Sequence, residues 1–405
     1  MTLAVGLALV ALGTHYAARL GAFAMGFVRS AREADARLPD PAFSPRVTVI
    51  VAARDEEAVI GQCVDAILAC DYPPDRFEVI VADDDSADAT AEAVRGRIRA
   101  LAPEVPAMAG EAPPETPSRL RLVHVPHDPE RLRAHKKRAI EHAAADARGE
   151  IVLTTDADCV VPRAWIRSMV GAFEDPGVVF ASGPVRYRVH RGTFARFQAL
   201  DFLGLMACGG GGIRIGQPNL ANGASVAWRR DVFHRLGGFS GIDDVTSGDD
   251  ELLMQKIAYQ GEAFGLGTEA VRFVNRPEAT VVTEPVPSFG AFLHQRKRWA
   301  SKGTHYRPQL QAMLVGLWGF LLLTLGAALA LPFAPGLAPW VLAALGFKAL
   351  GDLAVLVPAT GRFGQRRLLG IYPVWTFAHT VHTVFVGLMG PLRRGFEWKG
   401  RALDR

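Results

Sequence analysis

The pattern of apolar and polar positions divides the chain into three parts. Residues 1–28 are apolar apart from His15 and Arg19, which is long enough to cross a bilayer core of about 30 Å. Residues 46–306 alternate short apolar runs with amphipathic stretches, and no charged residue occurs between Pro308 and Phe347. We therefore predict a soluble domain flanked by N-terminal and C-terminal membrane segments.

The N-terminal segment has two interpretations. A signal peptide opens with a basic region, which the opening MTLAVGLALV does not have, and Arg19 interrupts the apolar run. The preferred interpretation is a membrane anchor over residues 1–30. Arginines follow the anchor, so the positive-inside rule places the next domain, residues 31–306, in the cytosol.

Four apolar, β-branched runs in the central domain predict strands that are buried on both faces. They cover Val47–Ala53, Phe77–Asp84, Arg119–Val125 and Glu150–Asp156. Amphipathic helical stretches separate them, which is typical of an α/β fold with a doubly wound, mostly parallel sheet. Residues 101–118, rich in Pro, Ala and Glu, are predicted to be a flexible insertion.

The C-terminal membrane region is predicted to span residues 307–392. The sequence PFAPGLAP at 332–339 divides it. Lys348 and Asp352 have the spacing of an ion pair, which we expect near a helix end, and the alternative is a functional role for these two residues. A further apolar stretch covers Leu368–Leu392, and a basic tail occupies 393–405. Three full spans would place this tail outside the cell. The last stretch is therefore re-entrant or interfacial, or the charge rule fails here.

Composition and net charge limit the kinds of molecule that the protein is expected to bind. The net charge is +4 and the pI is about 9.0, which fits a membrane surface or an anionic substrate. Nucleic acid is not predicted as a partner, because no basic stripe is interleaved with aromatic residues. The four cysteines contain no CxxC pair, so we expect reduced thiols and no zinc site.

Three acidic motifs fall at the predicted carboxyl ends of strands, where open α/β sheets bind ligands. AARDEE and ADDDSAD follow the first two strands, where carboxylates can accept hydrogen bonds from a base or a ribose, or can cap the next helices. Asp156 and Asp158 end the fourth strand, and two such carboxylates suit Mg²⁺ or Mn²⁺. The alternative for this pair is a polar turn.

Two further motifs carry candidate chemistry. Asp249 and Asp250 open a helix, where a carboxylate can be a general base or an ordinary N-cap. In HQRKRW, Gln295 and Arg298 can meet a diphosphate, and Trp299 can stack on a sugar ring. The alternative is an interfacial anchor of basic and aromatic residues.

The stretch Ala207–Ser225, which contains a glycine run at 209–212, is predicted to lie in the acceptor region, as either a flexible gate near the membrane or a plain flexible loop. No GK[ST] follows it, which excludes a P-loop.

Taken in this order and next to a membrane, the motifs resemble a membrane-integrated family-2 inverting glycosyltransferase with a GT-A fold. That group includes cellulose, chitin and hyaluronan synthases and ceramide glucosyltransferases. The resemblance covers Val47 to Trp299. It implies Asp84 at the nucleotide base, with Arg54 and Glu57 at the start of the nucleotide cleft.

The resemblance also implies Lys136 close to the donor, although His135 stands where the family usually has Gly. It implies Asp156 and Asp158 at the ribose and the metal–diphosphate end of the donor. Gln295, Arg298 and Trp299 match the last motif, which implies Gln295 and Arg298 at the donor and Trp299 at the acceptor. Asp250 would be the catalytic base. Because GDDE replaces the usual Thr-Glu-Asp triplet, the choice between Asp249 and Asp250 stays open.

The implied function is metal-dependent, inverting transfer of a hexose from a nucleotide-diphosphate sugar to a membrane-associated acceptor. Uridine is the commoner nucleotide in the resembled family. The acceptor is a lipid or a growing polysaccharide, and the small number of apolar segments favours a lipid. Two alternatives are a catalytically inactive membrane subunit or sensor that binds nucleotide sugar, and a transporter with a regulatory soluble domain.

Overall fold

A computed structural model describes residues 2–101, 119–126, 135–243, 245, 247–389, 396–398 and 401–403. Nearly all of the predicted insertion at 101–118 lies outside the described residues. Of the tail, only a short antiparallel pair is described, β10 Phe396–Trp398 with β11 Arg401–Leu403.

The central domain is built on a seven-stranded, mostly parallel sheet with the order β3-β2-β1-β4-β7-β5-β8. Strands β3, β2, β1 and β4 are parallel, and β7 runs antiparallel to both β4 and β5. The four predicted strands are confirmed to within one residue at each end. The strands are β1 Val47–Ala53, β2 Phe77–Asp83, β3 Leu120–His124, β4 Ile151–Asp156, β5 Phe180–Ser182, β6 Val185–Tyr187, β7 Val226–Arg229, β8 Val271–Phe273 and β9 Val281–Thr283.

Strands β1, β2 and β4 are almost completely buried because helices cover both faces of the sheet. In β1, Val49 and Val51 join one buried cluster, whereas Ile50 joins the cluster on the opposite face. The helices are α1 Thr2–Ala36, α2 Ile60–Leu68, α3 Thr90–Leu101, α4 His135–Ala145, α5 Trp165–Val170, α6 Thr193–Arg214, α7 Arg230–Arg235, α8 Glu251–Gln260, α9 Phe289–Ala300, α10 Pro308–Ala330, α11 Ala338–Arg362 and α12 Tyr372–Met389.

Three helical segments in the described part of the chain are long and apolar enough to cross a membrane: Thr2–Ala36, Pro308–Ala330 and Pro335–Arg362. Helix α1 continues six residues beyond the predicted end of the anchor at residue 30. In this continuation Glu33 pairs with Arg214 of α6, and Asp35 pairs with Arg362 of α11. Ala24 and Phe27 pack into one of the two cores of the central domain, so α1 connects the apolar bundle to that domain.

Helix α12 lies in the last apolar stretch and is not among these three segments. Its first residue, Tyr372, contacts Asp352 in α11. Gly387, near its end, lies against Trp318 in α10, and His382 packs on Phe292 of α9. These contacts pack α12 against α9, α10 and α11, and the placement of this stretch relative to a membrane stays a prediction.

The ion pair between Lys348 and Asp352 forms, with 2.5 Å between Nζ and Oδ2. The predicted location is wrong, because the pair lies in the middle of α11 and both side chains are almost completely buried. The Tyr16 hydroxyl of α1 donates to the same carboxylate at 2.6 Å. Pairing with these partners is what makes a buried charge tolerable at this position.

The glycine run at 209–212 is neither a gate nor a loop, because it forms the last turns of α6. A side chain at Gly211 would collide with the backbone carbonyl of Phe23 in α1, and Gly26 lies equally close to Gly211 from the other side. Helices approach this closely only where both present small residues. The run therefore serves close packing between α1 and α6.

Candidate active site

A cavity of about 420 Å³ lies at the carboxyl edge of the sheet. The parallel register places the ends of β1, β2 and β4 side by side, with Ala53 opposite Asp83 and Ala52 opposite Asp156. Nine of the predicted site residues line this one cavity: Asp84, Lys136, Asp156, Asp158, Asp249, Asp250, Gln295, Arg298 and Trp299. Side chains more than two hundred positions apart are thus brought together.

Arg54 and Glu57 do not line the cavity, although their neighbour Glu56 does. Glu57 is exposed and accepts a hydrogen bond from the backbone N–H of Ala89 at 2.8 Å, just before α3. Arg54 donates to the backbone carbonyl of Asp84. Both side chains therefore hold the β1 and β2 loops together, which matches the helix-capping alternative for the acidic turns.

Asp84 lies at the floor of the cavity and is 2% exposed. Arg138 donates to its Oδ1 at 2.9 Å, and Nδ1 of His135 lies 3.6 Å from its Oδ2. The family's usual Gly is thus replaced here by a buried His that contacts the same carboxylate. This arrangement fixes the orientation of Asp84 toward the cavity.

Asp156 and Asp158 form the part of the cavity that suits a cation. Their carboxylate oxygens and the Cys159 sulfur lie within 4.8 Å of one another. Burial, together with the nearby Asp156 carboxylate, raises the pKa of Asp158. Two carboxylates that repel each other in a partly desolvated site are stabilised by an oxygen-preferring divalent ion. The residues therefore fit Mg²⁺ or Mn²⁺.

Lys136 connects the two acidic motifs. Its ammonium lies 2.6 Å from Asp156 Oδ1 and 2.9 Å from Asp249 Oδ2. Burial lowers the pKa of Lys136, but the two carboxylates outweigh burial and the net shift is upward. Burial likewise raises the pKa of Asp249, and Lys136 reverses the direction to a net lowering. Asp249 is therefore held ionised and paired, which disfavours it as a proton acceptor.

Asp250 is held differently from its neighbour. Its Oδ2 accepts the backbone N–H of Gly223 at 2.7 Å, and its Oδ1 accepts the N–H of Glu251 at 2.7 Å, so it is also the N-cap of α8. The N-cap alternative is thus correct for this residue. Capping does not exclude a chemical role, since each oxygen keeps a second lone pair. The two N–H groups fix the carboxylate at the cavity wall.

The motif HQRKRW lies on α9, which begins at a Ser288 N-cap. Arg298 faces the cavity and, among the described residues, no carboxylate lies within 4.0 Å of its guanidinium. Gln295 accepts a weak hydrogen bond from the Tyr187 hydroxyl at 3.4 Å. Trp299 packs near Phe202 of α6, with 6.1 Å between ring centroids.

A buried ion pair, whose two members do not line the cavity, holds this motif in place. The Arg296 guanidinium lies 2.7 Å from the Asp201 carboxylate of α6, and both side chains are 5% exposed. The same guanidinium lies over the Trp299 ring, 4.4 Å from its centroid. Sequence reasoning missed Asp201, because a single acid within an apolar helix carries no motif.

The cavity has one apolar wall, which α6, α9 and β8 supply. Its side chains are Phe202, Leu205, Met206, Phe273 and Trp299. Helix α6 also packs against α1 and α11, two of the helices that can cross a membrane. Helix α6 therefore contributes side chains to the cavity and also contacts two helices of the apolar bundle.

Two other contributors to the site were not predicted. Gly223 has no room for a side chain, since an added Cβ would lie 2.9 Å from Lys136 Nζ and 3.0 Å from Asp249 Oδ2. Glu251 is buried, with Lys302 Nζ 3.1 Å away and the Tyr306 hydroxyl donating to it. The dipeptide Asn222-Gly223 indicates a turn in the sequence, but only the structure shows that this turn lies against Lys136 and Asp249.

Comparison with protein families agrees with this geometry. Residues 48–206 match the glycosyl transferase family 2 model, and residues 151–389 match the glycosyl transferase family group 2 model. The second match covers more than half of the chain, so the protein belongs to glycosyl transferase family group 2, and its sheet is of the GT-A type.

Individual relatives extend the comparison. The chain is 30% identical over 267 residues to the beta-monoglucosyldiacylglycerol synthase of Synechocystis sp., covering 64% of this chain and 48% of the relative. It is 25% identical over 267 residues to the probable glycosyltransferase YdaM of Bacillus subtilis, covering 65% of this chain and 56% of the relative. The chain thus spans about half the length of these curated relatives.

Among solved structures, the mannosyltransferase PcManGT from Pyrobaculum calidifontis, in complex with GDP-Man and Mn²⁺, superposes with a TM-score of 0.56. The identity is 26%, and the match covers 95% of this chain and 99% of that chain. The similarity therefore includes the flanking helices as well as the sheet.

Proposed function

We propose that this protein transfers a hexose from a nucleotide-diphosphate sugar to a hydroxyl group of a membrane lipid. The observation that carries the proposal is the convergence of the acidic motifs, Lys136 and HQRKRW on one cavity with an apolar wall. The names of the relatives support it, since one makes a glucosylated diacylglycerol and another was solved with a nucleotide sugar and Mn²⁺.

The donor would lie along the carboxyl edge of the sheet. Asp84 would contact the base, and Asp156 with Asp158 would hold Mg²⁺ or Mn²⁺ beside the diphosphate. The metal, when bound, would neutralise negative charge on the departing diphosphate. Arg298, which has no carboxylate partner, would supply a guanidinium to the same phosphates.

The acceptor would enter along the apolar wall. Asp250 would accept the proton of the attacking hydroxyl, because Gly223 and Glu251 fix its carboxylate at the cavity, whereas Asp249 is paired with Lys136. A single displacement inverts the anomeric centre and needs no protein nucleophile. Trp299 would form one side of the sugar site.

We assign the membrane arrangement on the same basis. Residues 1–30 would anchor the chain, 31–306 would form the cytosolic catalytic domain, and 307–392 would complete the bundle. With α1, α10 and α11 as the three spans and α12 lying across them, the basic tail at 393–405 is cytosolic. With three spans, the number of membrane crossings and the positive charge of the tail both place the tail in the cytosol; with α12 as a fourth span they would disagree.

A mass-spectrometric screen tests the function. The purified full-length chain would be mixed with Mn²⁺ or Mg²⁺, a panel of uridine and guanosine diphosphate sugars, and extracted lipids. We expect one new glycolipid, which Asp156→Asn/Asp158→Asn abolishes and the exposed control Asp231→Asn does not. If a growing polymer forms instead, the acceptor is a polysaccharide and not a lipid. Donor binding without turnover would favour the inactive-sensor alternative.

A further inference from the structure

A second cavity, of about 240 Å³, lies where α1, α8, the start of α10 and the segment after α6 meet. Its polar lining consists of Arg19, Gln217, Asn219, Gln255, Tyr259, Arg307 and Gln309. The proposed transfer chemistry makes no use of these residues. The mixture of two guanidiniums, four amides and a phenol is suited to an anion with several oxygen atoms.

The charge of this cavity is opposite to that of the first. Its lining contains Arg19 and Arg307 but no acidic residue, whereas Asp, Glu and Lys side chains mix in the first cavity. In the part of the chain that the structure describes, neither guanidinium has a carboxylate within 4.0 Å. Arg307 is fixed by stacking, with its Cζ 3.9 Å from the centre of the Tyr259 ring.

The cavity lies at the boundary of the apolar bundle. Arg307 precedes Pro308, the first residue of α10, and Leu310 and Met313 from the first turns of that helix complete the lining. A ligand with a charged head and an apolar tail matches this combination.

Arg19 is the second arginine in the lining of this cavity. It is the only Lys, Arg, Asp or Glu within residues 1–28 of the anchor helix. Charged residues within membrane helices are costly and are usually tied to a function or a partner. No protein carboxylate neutralises Arg19 in the described part of the chain, so its partner is expected to come from outside the protein.

We propose that the second cavity binds the phosphate of an anionic membrane lipid between Arg19 and Arg307. This goes beyond the proposed transferase function, because the lipid here is not the acceptor. The two cavities share one backbone segment: Asn219 lines the second, and Gly223, which donates to Asp250, lines the first. Lipid occupancy would therefore stabilise the segment that fixes Asp250.

Native mass spectrometry of the full-length chain in a neutral detergent tests the proposal without any sugar donor. Phosphatidylglycerol, phosphatidylcholine and inorganic phosphate would be titrated separately. The variant is Arg19→Gln/Arg307→Gln. The matched control, Arg95→Gln/Arg235→Gln, removes the same charge from exposed positions. Thermal unfolding of each protein shows whether it is folded, and the two single variants replace the double variant if it is not.

We expect phosphatidylglycerol to bind more tightly than phosphatidylcholine, and the double variant to weaken that binding by roughly tenfold or more, because two charge-assisted contacts are lost. The control should bind as the unaltered protein does. Equal binding of both lipids, or unchanged binding in the double variant, would overturn the proposal. Inorganic phosphate that displaces the lipid at equal concentration would identify free phosphate as the ligand and overturn the lipid assignment.

Discussion

The buried pair between Asp201 and Arg296 gives a prediction whose size follows from the structure. Both side chains are 5% exposed, and the charged atoms are 2.7 Å apart. Asp201→Asn would leave the Arg296 guanidinium buried without a charged partner. Removing one member of a buried pair costs about 3–5 kcal/mol, because the remaining charge stays desolvated.

An exposed pair provides the matched control. Asp231 and Arg235 form an i, i+4 pair at 3.1 Å, with side chains that are 68% and 57% exposed. Asp231→Asn should change the free energy of unfolding by only about 0.3–0.5 kcal/mol, because water screens such pairs. The comparison therefore varies burial while it keeps the chemical change the same.

The assay is denaturant or thermal unfolding of the detergent-solubilised chain, followed by tryptophan fluorescence. The double variant Asp201→Asn/Arg296→Gln should recover part of the loss, because no unpaired charge remains. Since Arg296 stacks on Trp299, Asp201→Asn should also raise the KM for the acceptor. Equal destabilisation by Asp201→Asn and Asp231→Asn, or strict additivity in the double variant, would refute the reasoning.

Three further predictions test other parts of the structure. Gly211→Ala should destabilise the chain by roughly 1–3 kcal/mol through overpacking against α1, whereas Gly96→Ala, at an open helical position, should stabilise it by up to about 1 kcal/mol; unfolding curves compare the two. Removal of divalent metal by EDTA should abolish transfer, and Asp158→Asn should raise the Mn²⁺ concentration needed for half-maximal rate; metal-independent transfer would contradict the metal site. Burial raises the pKa of Cys70 to about 12, so iodoacetamide should label this thiol at pH 7.4 only after unfolding, as peptide mapping would show.

Much of the sheet was predictable because its signal is local. Val47–Ala53 reads as a strand from its β-branched residues alone, and the parallel register then brings the ends of β1, β2 and β4 to one edge. The pairs at Asp156–Asp158 and Asp249–Asp250 therefore reach one cavity, as the motif order predicted. The different roles of Asp249 and Asp250 were not predictable. They depend on the contact of Asp249 with Lys136 and of Asp250 with Gly223, which only the structure shows.

The failures of prediction all involve contacts that are distant in sequence. The glycine run has the composition of a loop, but packing against α1 keeps it helical. Glu57 lies outside the cavity, because its carboxylate accepts the backbone N–H of Ala89, 32 positions away. Asp201 lies far from Arg296 in sequence, so no local pattern reveals their pairing.

The most direct test of the central claim replaces Asp250, the carboxylate held at the cavity by two backbone N–H groups. Asp250→Asn keeps the shape and removes the base, and the exposed Asp243→Asn on the preceding loop is its control. With the donor and lipid that the screen identifies, initial rates of glycolipid formation should fall about 10²–10⁴-fold in Asp250→Asn, with donor affinity retained. A folded Asp250→Asn variant that keeps the rate of the Asp243→Asn control would contradict the account.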